Sequence, residues 1–294
     1  MVEIREHLGF AVTEVWGLDP ARGSDSVVAL RSALADRAVL CIRFGRALDD
    51  AELRSVAELF GPIKDPLART NNGGQLRYAE PRQIIDSGFV LTDEIRQKLG
   101  EVALGGLDDR RPGLFETFHT DDTYTEEPAI ATVLHARELP PSGGGPTCFL
   151  DMRAAYASLS AATKKRIDGL RVGYAYNNEG AFPPRRGARG SAESLVPVSH
   201  PLVRTHPGVG TRALFLDLDR ATHVEGMPIS DGRKLLQDLQ DRAESTAPNC
   251  QHAWRDHDVL VWDNASVQHK AGGNFRLGEP RRFWRYMIAG QRPA

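Results

Sequence analysis

Short apolar runs broken by charged and turn-forming stretches set the pattern of this chain. Residues 8–18 (LGFAVTEVWGL) predict a first strand pair, and a helix follows at about 26–36. Ala38-Val39-Leu40-Cys41-Ile42 is apolar throughout and bounded by charge, as a buried strand requires. Asp49 with Glu52 has the form of a capping box. Leu53, Val56, Ala57 and Phe60 then recur at helical spacing until Gly61-Pro62 stops the helix. Ile130 to Arg137 alternate as a strand, with His135 on its apolar side as a core or neighbouring-shell histidine.

Ser142-Gly143-Gly144-Gly145-Pro146 predicts a tight turn into Thr147-Cys148-Phe149-Leu150. Asp151 and Ser160 are placed to cap the helices that follow. Strands are expected at 200–207 and 213–216, and a helix capped by Ser230 buries Leu235, Leu236, Leu239 and Ala243. Residues 64–117 carry turn material at Asn71–Gly74, a strand within 82–91 and a short helix at 93–103. Residues 177–197 have little apolar content and read as a lid loop, with Arg185, Arg186 and Arg189 as solvated charges rather than an anion-facing set. No repeat, low-complexity tract or linker divides residues 1–294, so one domain is expected.

Composition narrows the function class. A hydrophobic fraction of 41% and a charged fraction of 26% belong to an ordinary soluble protein. A net charge of −2 gives no general attraction to nucleic acid or an anionic membrane, so neither is an expected partner. No apolar run approaches the roughly 20 residues of a membrane span. The acidic start MVEIREHLGFAV does not look like a secretory signal, and a cytoplasmic location is expected. Three widely spaced cysteines are no disulfide framework; Cys41 and Cys148 read as small buried hydrophobes. Assembly into a homo-oligomer stays open.

The chemistry centres on Phe118-His119-Thr120-Asp121 and, far downstream, His269. On a strand, positions i and i+2 face one way, so His119 and Asp121 present an imidazole and a carboxylate together. A second imidazole, for which His269 is the candidate, completes a 2-His-1-carboxylate face. Such a face binds Fe(II) and leaves positions for a chelating cosubstrate and O2. By itself a His-x-Asp pair is close to what chance supplies in a chain with nine histidines. His223-Val224-Glu225 is a rival pair in turn-rich sequence, and His223 or His257 are the alternatives for the third ligand.

Longer context adds to this. Residues 118–160, beginning FHTDDTYTEEP, and 258–290, reading DVLVWDNASVQHKAGGNFRLGEPRRFWRYMIAG, resemble the taurine dioxygenase-like (TauD/TfdA) family of Fe(II)/2-oxoglutarate-dependent dioxygenases. The resemblance implies a mainly β fold with flanking helices, a double-stranded β-helix (jelly roll). It implies oxidation of a small molecule, most simply hydroxylation, coupled to decarboxylation of 2-oxoglutarate to succinate.

Aligned on that family, Arg281 matches the arginine that holds the far carboxylate of 2-oxoglutarate, and Thr147 the threonine that assists it. Strand alternation puts Arg285 on the face of Arg281 and turns Arg282 away. Arg285 is expected to face either an acidic group on the substrate or the iron-bound carboxylate. Asp121 keeps the carboxylate that related halogenases replace by a small residue, which favours oxygenation. Residues 64–117 look like an insertion at the mouth of the site, where substrate choice is set. Ala265, Lys270 and His257 depart from common family residues but lie outside the ligand set. A metal hydrolase on the same barrel is the alternative, as is a non-catalytic sensor. The hydrolase has no use for Arg281 and Thr147, and the sensor no need of an intact triad.

Overall fold

The structure, a computed structural model, describes residues 2–5, 8–21, 23–65, 67–69, 76–78, 82–86, 110–111, 117–176, 197–276 and 279–294. The expected helix at 93–103 and the arginines of the expected lid lie outside the described residues. So does most of the lid itself.

The largest sheet runs in the order Glu3–Arg5, Thr13–Trp16, Val39–Arg43, Val259–Asp263, Ala131–Glu138, Arg282–Ile288 and Ile63–Lys64. Gln83–Asp86 adds a second partner to Arg282–Ile288. Val259–Asp263 is buried along its whole length, which explains its unbroken apolar run. Thr13–Trp16 pairs in parallel with Val39–Arg43, and the intervening helix Val27–Arg37 supplies the crossover that parallel strands require.

Facing this sheet is a smaller one, Asn249–His252, Thr147–Asp151 and Val267–Ala271. A third places Arg171–Tyr174 between Val198–Pro201 and Ala221–Val224. One core cluster joins the facing sheets: Leu260, Trp262 and Phe283 from the first meet Phe149 and Val267 from the second. Outside the large sheet, Leu30, Leu34, Leu53 and Val56 of two helices cover its back. Outside the smaller sheets, Leu235, Leu236, Leu239 and Ala243 of the helix Ile229–Thr246 do the same. Two sheets packed face to face with helices outside is the expected jelly roll.

Local chemistry explains several boundaries. The Asp49 side chain accepts the Glu52 N–H at 2.8 Å and the Glu52 carboxylate accepts the Asp49 N–H at 3.0 Å, a complete capping box. Asp151 and Ser160 cap their helices as expected. Ser230 does not: the helix begins after Pro228, and the Ser230 hydroxyl turns to Asp231 inside the first turn. Proline has no N–H to satisfy and a fixed φ, so it enters a helix without a side-chain cap. The first strand pair also differs, being Glu3–Arg5 with Thr13–Trp16. Phe10 and Val12 pack from the intervening loop onto the core between the sheets, which accounts for their apolar pattern. No described helix is long and apolar enough to cross a membrane.

Candidate active site

His119 and His269 meet as a single bridge at the edge of the smaller sheet. The His119 N–H donates to the His269 carbonyl at 3.0 Å, and the His269 N–H returns the bond at 2.9 Å. This doubly bonded pair sets the two imidazole rings 4.4 Å apart. The expectation that Asp121 continues the same strand is not met. The chain turns over residues 121–124, Asp122 takes φ 65°, and the Thr125 N–H closes the turn on the Asp122 carbonyl at 3.1 Å. Aspartate tolerates that conformation better than most residues because its short side chain bonds locally.

The turn nonetheless delivers the carboxylate. One donor atom from each of His119, Asp121 and His269 lies within 4.8 Å of the others. His269 Nε2 is 3.7 Å from Asp121 Oδ2. His119 Nδ1 lies 3.1 Å from the Thr117 carbonyl, which can only accept, so the proton is assigned there and Nε2 keeps its lone pair. Burial pushes His269 down, as does neighbouring His119, to about 3, so its imidazole is neutral. Burial would raise Asp121, but the neighbouring His269, Arg285 and His119 and the Thr132 hydroxyl hold it down at about 2. Two imidazoles and an ionised carboxylate are the donor set a divalent cation takes.

A second cluster, Cys41, His252 and Asp258, is of another kind. Asp258 is paired with Arg43 and His252 and accepts the Arg255 N–H at 2.9 Å. Burial pushes the Cys41 thiol up, which keeps it protonated. That cluster closes on itself.

Arg281 is 3% exposed and donates through Nε and Nη2 to the Gly145 carbonyl at 3.1 and 2.8 Å. Gly145 has φ +61°, and a Cβ there would stand 2.6 Å from Arg281 Nε. The glycine turn is therefore the seat of the arginine. The Thr147 hydroxyl accepts the Trp254 indole N–H at 3.0 Å. Arg281, Thr147, Arg285 and the three donors line one cavity of about 300 Å³. Alternation holds along the last strand: Arg281, Phe283 and Arg285 face the cavity, while Arg282 pairs with Glu138 near the surface at 2.7 Å. Arg285 donates to Gln83 Oε1 at 2.7 Å and to Asp121 Oδ1 at 3.3 Å.

The other histidines are elsewhere. His135 is buried, accepts the Leu48 N–H at 3.2 Å and donates to the Asp258 carbonyl, a satisfied core residue. His223 lies opposite Gly173 with its ring on the Thr222 hydroxyl, and His257 occupies a turn at φ 69°. Sequence reasoning passed over Thr132, whose hydroxyl donates to Asp121 at 2.7 Å, and Tyr124, Asp217 and Arg220 in the cavity wall. One hydroxyl beside the apolar Val133 and Leu134 in a buried strand was the available signal for Thr132. The others lie in turns, where polar residues carry no pattern.

Comparison with known proteins identifies the family of the chain. Residues 6–287 match the family described as taurine catabolism dioxygenase TauD, TfdA family. An alpha-ketoglutarate-dependent 2,4-dichlorophenoxyacetate dioxygenase of Cupriavidus pinatubonensis is 31% identical, over 86% of this chain and 85% of its own. Its namesake from a Burkholderia species is 31% identical over 94% and 88%. The crystal structure of AAD-2 in complex with Mn(II) and N-oxalylglycine superposes with a TM-score of 0.75 at 26% identity, covering 100% of this chain and 99% of that one. With nearly its whole length matched, the chain belongs to the TauD/TfdA family and is an alpha-ketoglutarate-dependent dioxygenase, an oxidoreductase acting on a small organic molecule.

Proposed function

We propose that His119, Asp121 and His269 hold Fe(II), and that Arg281 with the Thr147 hydroxyl holds the far carboxylate of 2-oxoglutarate. The primary substrate is a small organic acid, most simply hydroxylated. Bound iron supplies the redox chemistry that couples O2 to decarboxylation of 2-oxoglutarate and oxidation of the substrate. The observation that carries the reading is the convergence of three metal-type donors, one buried arginine and one hydroxyl on a single cavity.

Each residue has a separable task. A guanidinium already desolvated under Phe283 and fixed by Gly145 suits one end of a dicarboxylate. Arg285 lies against Asp121 and Gln83, so its charge serves the metal carboxylate. The strand Gln83–Asp86 brings Gln83 and Ile85 to the site, which supports a substrate-selecting part for residues 64–117. An acidic substrate is supported by relatives named for 2,4-dichlorophenoxyacetate, (S)-phenoxypropionate and sulfate esters.

Anaerobic addition of Fe(II) and 2-oxoglutarate tests the reading. A weak visible charge-transfer band should appear, and His119→Ala, Asp121→Ala and His269→Ala should each abolish both the band and succinate formation. A His269→Ala enzyme with near-normal iron affinity would send the third ligand elsewhere.

A further inference from the structure

Among the described residues three guanidinium groups face the cavity, and two have evident employment. Arg285 is paired with Asp121 at 3.3 Å, and Arg281 sits in the buried seat under Gly145. The carboxylate of Asp122 beside the triad is taken by Lys64. Asp217 in the cavity wall accepts the Thr123 hydroxyl at 3.0 Å and the Asp219 N–H at 3.1 Å. Arg220 remains. Among the described residues no carboxylate stands within ion-pair distance of it.

Arg220 is nevertheless held firmly. Its N–H donates to the Asp217 carbonyl at 3.2 Å, and its own carbonyl accepts the Ala175 N–H at 2.9 Å. Nη1 donates to the Tyr176 carbonyl. The guanidinium carbon lies 4.9 Å from the Tyr176 ring and 5.3 Å from the Tyr124 ring. Those two rings meet edge to face at 4.9 Å. A guanidinium has five N–H donors, and one is used among the described residues. A cation ordered in advance, with donors to spare and no carboxylate in ion-pair contact among the described residues, is a costly arrangement unless a ligand completes it.

We infer that Arg220, clamped by Tyr124 and Tyr176, captures the acidic group of the primary substrate, leaving Arg281 to 2-oxoglutarate and Arg285 to Asp121. This rests on the oxygenase reading above and assigns its substrate contact. The ligand chemistry is a carboxylate, sulfonate or sulfate on an apolar body, for which Trp262, Phe283 and Leu134 provide wall.

The test is calorimetric binding to the enzyme loaded anaerobically with Fe(II) and 2-oxoglutarate. The probes are 2,4-dichlorophenoxyacetate, 2-phenoxypropionate and hexyl sulfate, beside the two methyl esters and hexanol. The wild type should prefer at least one acid over its neutral counterpart. Arg220→Gln should weaken that acid by about tenfold to a hundredfold, the worth of a hydrogen bond to a charged group. The neutral counterpart and 2-oxoglutarate should change by no more than about twofold, as independent sites do. Arg220→Lys should restore part of the acid preference. Unchanged acid binding in Arg220→Gln, an equal loss for acid and neutral probe, or a wild type that forms the charge-transfer band but binds none of the acids overturns the inference. Absence of the band in the wild type brings down the oxygenase reading instead, and this assignment with it.

Discussion

The Thr132 hydroxyl donates to Asp121 Oδ2 at 2.7 Å and fixes the carboxylate from the centre of the large sheet. The same hydroxyl accepts the Asn264 amide at 3.0 Å, and Asn264 Oδ1 accepts the Trp262 indole N–H at 3.0 Å. The Trp262 ring in turn lies 4.6 Å from the His269 ring. One buried chain of contacts thus orients two of the three donors. Its register comes from the sheet, where Trp262 is directly opposite Thr132.

Thr132→Val keeps the shape and removes the donor, leaving Asp121 and the Asn264 amide each short of a partner. Metal affinity should fall about 10- to 100-fold, the usual effect of losing a group that orients a ligand. Thr132→Ser should retain most of it. Titration with Fe(II) or Mn(II) decides, and wild-type affinity in Thr132→Val would mean that Arg285 alone suffices to hold Asp121.

Gly145→Ala should raise the 2-oxoglutarate requirement, since its Cβ would stand 2.6 Å from Arg281 Nε. Gly143→Ala is the control. It carries the same kind of positive φ, +74°, but its Cβ meets nothing within 4 Å. Both changes share a backbone cost of about 1–2 kcal/mol, and Gly145→Ala adds the displacement of Arg281, so it should show the larger melting shift and alone raise the 2-oxoglutarate KM. Matching KM values would remove Gly145 from the arginine's seat.

How much of this was legible before the structure follows from how far each signal travels along the chain. The capping box at Asp49 and Glu52 is written within four residues and appears as read. Alternation over Arg281 to Arg285 also survives, because a paired strand cannot rotate its faces. His257, set apart in the sequence as a departure from the family pattern, takes φ 69°, a conformation glycine adopts freely. Ser230 misled because a good capping residue gives no warning that Pro228 starts the helix first. The turn at Asp121–Tyr124 was hidden for a related reason: a His-x-Asp spacing serves a strand and a turn alike. Thr132 and Arg220 acquire meaning from residues more than ten and forty positions away, Asp121 and Tyr176 respectively, so local pattern could not single them out.

Arg281→Ala should raise the 2-oxoglutarate requirement steeply, because removing one partner of a desolvated charge pair costs about 2–5 kcal/mol. Arg282→Ala removes a largely solvated pair with Glu138 and should cost no more than about 1 kcal/mol of stability, leaving the cosubstrate untouched. Steady-state kinetics on the two variants separates them. A larger cosubstrate effect at Arg282 would place the strand one residue out of register.

Two buried histidines make stability depend on pH. Burial pushes both His135 and His200 down to about 4, below the 6.5 they have when exposed. Between those values the unfolded chain binds protons that the folded chain does not. Their contribution is therefore present above about pH 6.5 and lost as pH falls toward 4, by an amount on the order of 3 kcal/mol for each. Urea unfolding at pH 7.5 and pH 5 should show the loss, and His135→Gln should make it smaller. An unchanged pH slope in that variant would mean that His135 is protonated in the fold.

Arg285→Gln separates the two cationic tasks beside the metal. In the structure the guanidinium is held between Gln83 Oε1 at 2.7 Å and Asp121 Oδ1 at 3.3 Å, so its charge is spent on a group that binds the metal. Removing it withdraws one of the forces that keep Asp121 ionised in a buried place. The expected result is weaker Fe(II) binding with an equal loss of affinity for an acidic substrate and its neutral ester. Arg220→Gln is expected to do the reverse, sparing the metal and penalising the acid alone. If Arg285→Gln kept full metal affinity and lost only the acid, the substrate's anionic group would belong to Arg285 and the ion pair with Asp121 would be incidental.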